Sequence, residues 1–310
     1  MMVGGSRLPG NDDPVKCNTV CSLMRKLLLV AIVLTTAALA TPWRGSAQTT
    51  RGGSKSPPIV STADAPAGTE KLAVQWLRIS VPDLGVMLAA VARPSGPGPF
   101  PVVVVLHGTH GFAQEYVRWA QDLARGGFLA VAPCWFSGGS GTGSHAVTPP
   151  IPCPQLPALK RDAYPEAVQY IDAVVTAARA LPGARADRLG IVGHSRGGGE
   201  TLQYLLAIGN VQAAVLHSAG HGYRPVTRVA EFNVPMLILH GTADGPADGG
   251  GVNTQVAQAR DFEAALRQNQ KPVEAHYYEG GGHNTFFTNS TQRDDELKTM
   301  IAFLRRHLGA

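Results

Sequence analysis

Ser195 stands in Gly193-His194-Ser195-Arg196-Gly197, a G-x-S-x-G pattern that ends a short apolar run and opens a helical one. Such a turn from strand to helix holds the serine at its tip in strained backbone geometry. Glycines two residues before and after are needed because side chains there would collide across the turn. The helix N-terminus behind it aims N–H groups at a developing negative charge. A serine hydroxyl is a poor nucleophile at neutral pH and needs an adjacent base. Gly280-Gly281-Gly282-His283 offers an imidazole to take and return the proton. His240-Gly241-Thr242-Ala243-Asp244 offers a carboxylate to fix its tautomer and stabilise the imidazolium. The oxyanion would sit between the backbone N–H of Arg196 and that of Thr109, within His107-Gly108-Thr109-His110-Gly111. The side chain of Arg196 is expected to point away from the chemistry.

Each of these residues also has a plain reading. Ser195 would then be an ordinary turn serine. Asp248 competes with Asp244 for the acid role, and Asp244 is preferred because it follows its strand by a short, fixed turn. Of the other histidines, only His283 follows a late strand through a glycine-only turn ahead of the last helix. His194, His217 and His240 fall at strand ends and read as structural or pocket-lining. No H-E-x-x-H or C-x-x-C spacing suggests a metal, and no cofactor is expected.

The elements that must position these groups alternate between strand and helix. Residues 72–81 and 86–93 read as antiparallel strands joined by a turn at 82–85. Residues 102–106 are five apolar residues in a row, four of them valine, as in a strand buried on both faces of a parallel sheet. Further strands are expected over 128–133, 188–192, 213–217, 236–240 and 273–278. Helices are expected over 115–125, 162–181, 200–208, 254–268 and 294–307, with apolar faces such as Val168, Ile171, Val175 and Ala178. Residues 137–159 read as a long Gly- and Pro-rich loop. Its Gly139-Ser140-Gly141-Thr142-Gly143 lacks the lysine and hydroxyl of a phosphate loop. Alternating strands and helices imply an α/β fold, a mostly parallel sheet with helices on both faces. In such sheets, catalytic groups gather at the carboxyl ends of the strands. The candidate residues fall there.

With 310 residues, 44% hydrophobic and 16% charged, the chain suits one domain with a sizeable core. The net charge of +5 comes with no dense Lys/Arg run in the folded part, which argues against a nucleic-acid partner. Residues 1–47 read as a leader. Met24-Arg25-Lys26 opens a positive region and residues 27–40 carry no charge. Ala38-Leu39-Ala40 and Gly45-Ser46-Ala47 then offer small-x-small cleavage sites. The start is expected at Met24, and the product is expected to be secreted or periplasmic, without stable membrane association after cleavage. An uncleaved anchor is the alternative. Residues 48–68 read as a linker and 69–310 as the folded domain. Outside the leader only Cys134 and Cys153 remain, and an oxidising compartment favours a disulfide between them over two thiols.

V-V-V-V-L-H-G at 102–108, G-H-S-R-G-G at 193–198, H-G-T-A-D at 240–244 and G-G-G-H at 280–283 together resemble the α/β-hydrolase superfamily. Within it, the chain is similar to the dienelactone hydrolase-like branch over residues 72–308. The resemblance implies an uncapped α/β-hydrolase fold, because residues 220–233 are too few for a helical cap. Dienelactone hydrolases proper carry a cysteine nucleophile, and the serine here argues against their lactone chemistry and for a general carboxylesterase. G-H-S-R-G-G-G-E-T-L at 193–202 also resembles cutinase-like polyester hydrolases. Their aromatic residue after the next strand is replaced by Ser218-Ala219-Gly220. The expected partner is a small-molecule or polymeric ester. Acyl transfer, peptide hydrolysis or ligand binding on a silent scaffold are the alternatives.

Overall fold

The computed structural model describes residues 57–309, apart from 83, 137–147, 154–163 and 223–225. The expected leader, residues 48–56 of the expected linker and most of the 137–159 loop lie outside the described residues. The apolar runs become strands β1 (Ile59–Thr62), β2 (Gln75–Val81), β3 (Gly85–Ala92), β4 (Phe100–Leu106), β5 (Leu129–Pro133), β6 (Ala184–His194), β7 (Ala213–His217), β8 (Met236–Gly241) and β9 (Val273–Tyr278). They form one sheet in the order β1-β2-β3-β5-β4-β6-β7-β8-β9. From β5 to β9 every neighbour is parallel, while β1, β2 and β3 form an antiparallel edge joined to β5.

Helices α1 (Gln114–Arg125), α2 (Tyr164–Arg179), α3 (Arg196–Ala207), α4 (Val256–Gln268) and α5 (Ser290–Leu308) cover the sheet. The helices α1 and α5 pack together over it, and so do α2 and α3. The valine run of β4 is therefore fully buried, which fits its lack of alternation. On α2 the expected face, Val168, Ile171, Val175 and Ala178, is the buried one. The fold is the α/β-hydrolase fold. Between β7 and β8 the described residues hold a 3-10 turn, Val229–Glu231.

Strand β1 lies inside the stretch expected to be a linker. Ile59, Val60 and Thr62 are β-branched and pair with β2. Only four residues long and mostly exposed, β1 carries too little apolar signal to stand out from the Gly, Ser and Pro around it. The last helix starts earlier than expected, because the Asn289 side chain caps it by accepting the Gln292 N–H at 3.0 Å. Cys134, directly after β5, is bonded to Cys153.

Candidate active site

Four strands of the parallel part of the sheet, β4, β6, β8 and β9, end at the candidate residues. Ser195 is the residue between β6 and α3, at φ 54° and ψ −118°. A positive φ is costly for a residue with a side chain, so the surroundings must impose it. They do so by closeness: a Cβ on Gly193 would collide with the Gly197 carbonyl, and one on Gly197 with Leu106. The Ser195 carbonyl accepts the N–H groups of Gly198, Gly199 and Gly220, at 3.1, 3.2 and 3.0 Å. The turn is thereby locked.

Asp244 follows β8 within a turn closed by its own N–H on the Gly241 carbonyl, 3.3 Å. His283 follows β9. The structure brings the three side chains together. His283 Nε2 lies 2.9 Å from Ser195 Oγ, and His283 Nδ1 lies 2.8 Å from Asp244 Oδ2. All three residues are buried. A carboxylate oxygen only accepts, so the His283 proton sits on Nδ1. Nε2 is left as the acceptor facing the serine hydroxyl.

Asp244 has one further donor and one neighbouring imidazole that the sequence did not disclose. Thr254 Oγ1 donates to Oδ1 at 2.9 Å. His240 Nε2 lies 2.5 Å from the Thr254 carbonyl and 3.3 Å from Asp244 Oδ2. Burial pushes the Asp244 carboxyl upward, but hydrogen bonds from His240 and His283 outweigh it and hold the pKa at about 2. The aspartate is thus charged at any pH where the imidazole could act.

Asp248, the rival acid, takes a different place. Its Oδ2 accepts the Asn284 N–H at 2.8 Å, and its carbonyl accepts the Asn284 amide at 2.7 Å. It clamps the turn that carries His283 rather than the imidazole itself.

The turn after β4 lies against the serine. A Cβ on Gly108 would stand 3.1 Å from Ser195 Cβ. Among the described residues the N–H of the next residue, Thr109, makes no hydrogen bond to protein. The N–H of Arg196 opens helix α3. The Arg196 guanidinium lies 4.8 Å from the Phe136 ring centre, and its Nε lies 3.8 Å from the Glu200 carboxylate.

Of the strand-end histidines, His217 pairs with Glu296 of α5 at 2.6 Å, both buried. His194 donates to the His283 carbonyl at 3.2 Å. His107 lies among Phe112, Tyr116, Trp135 and Phe136, and burial pushes its pKa down to about 3. Among the described residues no group of three or more His, Cys, Asp or Glu side chains could hold a metal ion.

Chemically, the arrangement holds a hydroxyl beside an imidazole whose far nitrogen is held by a carboxylate. It also places backbone amides near the hydroxyl.

Comparison with known proteins agrees in fold. A Klebsiella pneumoniae subsp. pneumoniae structure, assigned by name to the dienelactone hydrolases, superposes with a TM-score of 0.60 at 22% identity, covering 80% of this chain and 99% of that one. An acetyl xylan esterase from Paenibacillus sp. R4 gives 0.59 at 15% identity, covering 84% of this chain and 92% of that one. A Bradyrhizobium sp. protein named "Probable 2-oxo-3-(5-oxofuran-2-ylidene)propanoate lactonase" is 28% identical over 228 residues, 69% of this chain and 85% of that protein. The model of the dienelactone hydrolase family matches residues 87–307, and the chain belongs to that family of hydrolases.

Proposed function

We propose that the protein is an exported serine hydrolase that cleaves carboxylic esters through an acyl-enzyme. The observation that carries this reading is the contact of Ser195 Oγ with His283 Nε2 at 2.9 Å, backed by Asp244 at 2.8 Å. His283 takes the serine proton as Oγ attacks the ester carbonyl. Asp244 stabilises the imidazolium that forms. The N–H groups of Thr109 and Arg196 receive the oxyanion, each such donor contributing about 3–4 kcal/mol in comparable sites. His283 then protonates the leaving alcohol. Water, activated by the same imidazole, releases the acid.

The name of the Bradyrhizobium relative favours cyclic esters among the substrates. A lactone is an ester whose alcohol stays tethered, so the same steps open it to a hydroxy acid. Export is supported by the positive start at Met24 and the uncharged run at 27–40, followed by two small-x-small sites.

Intact mass after fluorophosphonate treatment tests the nucleophile, on wild type and Ser195→Ala, beside hydrolysis of p-nitrophenyl acetate, p-nitrophenyl butyrate and an unsaturated lactone. The reading expects one adduct on wild type, none on the variant, and turnover lost with it. Folded wild type that takes no adduct and hydrolyses none of these esters overturns it. Added alcohol acceptors report acyl transfer directly in the products.

A further inference from the structure

A buried chain of hydrogen bonds runs from the turn after β4 to the backbone of His283, and the steps above use none of it. The Gly108 N–H donates to Tyr116 Oη at 2.9 Å. Tyr116 Oη lies 2.8 Å from His194 Nδ1, and His194 Nε2 lies 3.2 Å from the His283 carbonyl oxygen. A carbonyl only accepts, so His194 carries its proton on Nε2. Its Nδ1 is then a bare acceptor, and the Tyr116 hydroxyl fills it. The chain therefore has one direction: Gly108 amide to tyrosine, tyrosine to histidine, histidine to the His283 carbonyl. Burial keeps both members in the forms this needs. It holds the His194 pKa well below the usual imidazole range, so the ring is neutral, and raises that of Tyr116, so the hydroxyl keeps its proton.

A second branch fixes the tyrosine. His110 Nε2 lies 2.7 Å from Glu115 Oε1 and 3.2 Å from Tyr116 Oη. The other Glu115 oxygen accepts the Thr148 N–H at 3.0 Å and its hydroxyl at 3.1 Å. Turn, serine and relay meet at one point. A Cβ on Gly108 would stand 3.1 Å from Ser195 Cβ, 3.2 Å from His194 Nδ1 and 3.3 Å from Tyr116 Oη.

We infer that Tyr116 and His194 are positioning residues that hold the Thr109 amide and the His283 imidazole at a fixed spacing across Ser195. The inference rests on the serine-hydrolase reading. Catalysis needs the base and the oxyanion donors placed to within a fraction of an ångström of the same reacting carbon. The two groups come from turns far apart in the chain. A hydrogen-bonded link between their backbones, which meets the nucleophile at Gly108, sets their separation more tightly than either turn does alone.

Tyr116→Phe tests this, because the ring still packs against Trp119 and Phe287 while the hydroxyl is removed. It leaves the Gly108 N–H and His194 Nδ1 without their partner. His194→Gln interrupts the same chain from the other side. Ester turnover is measured per serine titrated with fluorophosphonate, so loss of folded protein does not imitate loss of rate. The expected result for both variants is a fall in kcat of about tenfold or more, with KM changed by less than about twofold. A Ser195 adduct on wild type, with kcat of Tyr116→Phe within about twofold of wild type or with the loss confined to KM, overturns the relay alone. Absence of an adduct on folded wild type overturns the serine reading and the relay with it.

Discussion

Glu200→Gln is expected to make the protein more stable at alkaline pH and to leave it almost unchanged at pH 5. Glu200 lies on α3, one turn beyond the serine, with its side chain fully buried. Among the described residues neither carboxylate oxygen has a hydrogen-bond partner. The Arg196 Nε, 3.8 Å away, is too distant for a hydrogen bond and gives only partial charge compensation. Burial therefore dominates and raises the Glu200 pKa from 4.5 to about 8.

The sign follows from proton counts. Between pH 4.5 and 8 the folded state holds a proton that the unfolded state has lost. Stability therefore declines as pH rises through this window and levels off above pH 8. At about 1.36 kcal/mol for each tenfold change in proton concentration, the full window amounts to about 5 kcal/mol. Local relaxation and water entry reduce that, and about 2–4 kcal/mol is the working expectation. A buried, unpaired glutamine amide costs about 1–3 kcal/mol at every pH, much as the protonated acid does. Urea unfolding of wild type and variant from pH 5 to 8.5 isolates the effect, because other titrating groups cancel in the difference. The expected difference is near zero at pH 5 and grows to about 2–4 kcal/mol in favour of the variant at pH 8.5. A difference that stays flat with pH, or a variant less stable than wild type at pH 8.5, would refute the reasoning.

Two further outcomes follow from the turns around the site. In Gly282→Ala the new methyl overlaps the Asp248 carboxylate that clamps Asn284. The His283 turn must shift, and kcat/KM for p-nitrophenyl butyrate is expected to fall by about tenfold or more, which unchanged kinetics would contradict. Asp244, held at about pH 2 against a usual 3.8, contributes stability that is complete above about pH 4 and drains away as pH falls toward 2. Acid unfolding of Asp244→Asn, followed by tryptophan fluorescence, should therefore show a shallower decline than wild type over that interval, and parallel curves would count against it.

The sheet and the three central side chains were legible for a local reason. Each of Ser195, Asp244 and His283 sits at a short offset from a stretch that the sequence marks as a strand, and glycines mark the tight turns between. Groups whose roles depend on distant approach left no such trace. Thr254 reaches Asp244 because a Gly-rich turn folds back over ten residues, and nothing in its own neighbourhood marks it. Tyr116 reads only as part of an amphipathic helix, while its hydroxyl partner His194 is 78 residues away. His194 and His240 were expected to be structural or pocket-lining. Their positions at strand ends were visible, but their hydrogen bonds to the His283 and Thr254 carbonyls are tertiary facts. Asp248 looked like a rival acid because sequence offset alone does not distinguish a carboxylate facing an imidazole from one facing a backbone amide.

The serine itself makes these clamps intelligible. A cysteine at the elbow would carry a thiol, which can ionise near neutral pH. A hydroxyl cannot, so its proton must pass to the base during attack. That demands an imidazole that is neutral beforehand, protonated on the correct nitrogen, and aimed. Asp244 selects the nitrogen only while it is itself charged and fixed; Thr254 donates to it and His240 holds the Thr254 carbonyl. The aim of the ring depends on the backbone that carries it, and Asp248 and His194 hold the peptide that follows His283, one at its N–H and the other at its carbonyl. On the proposed mechanism, a serine at position 195 without these donors would keep its proton.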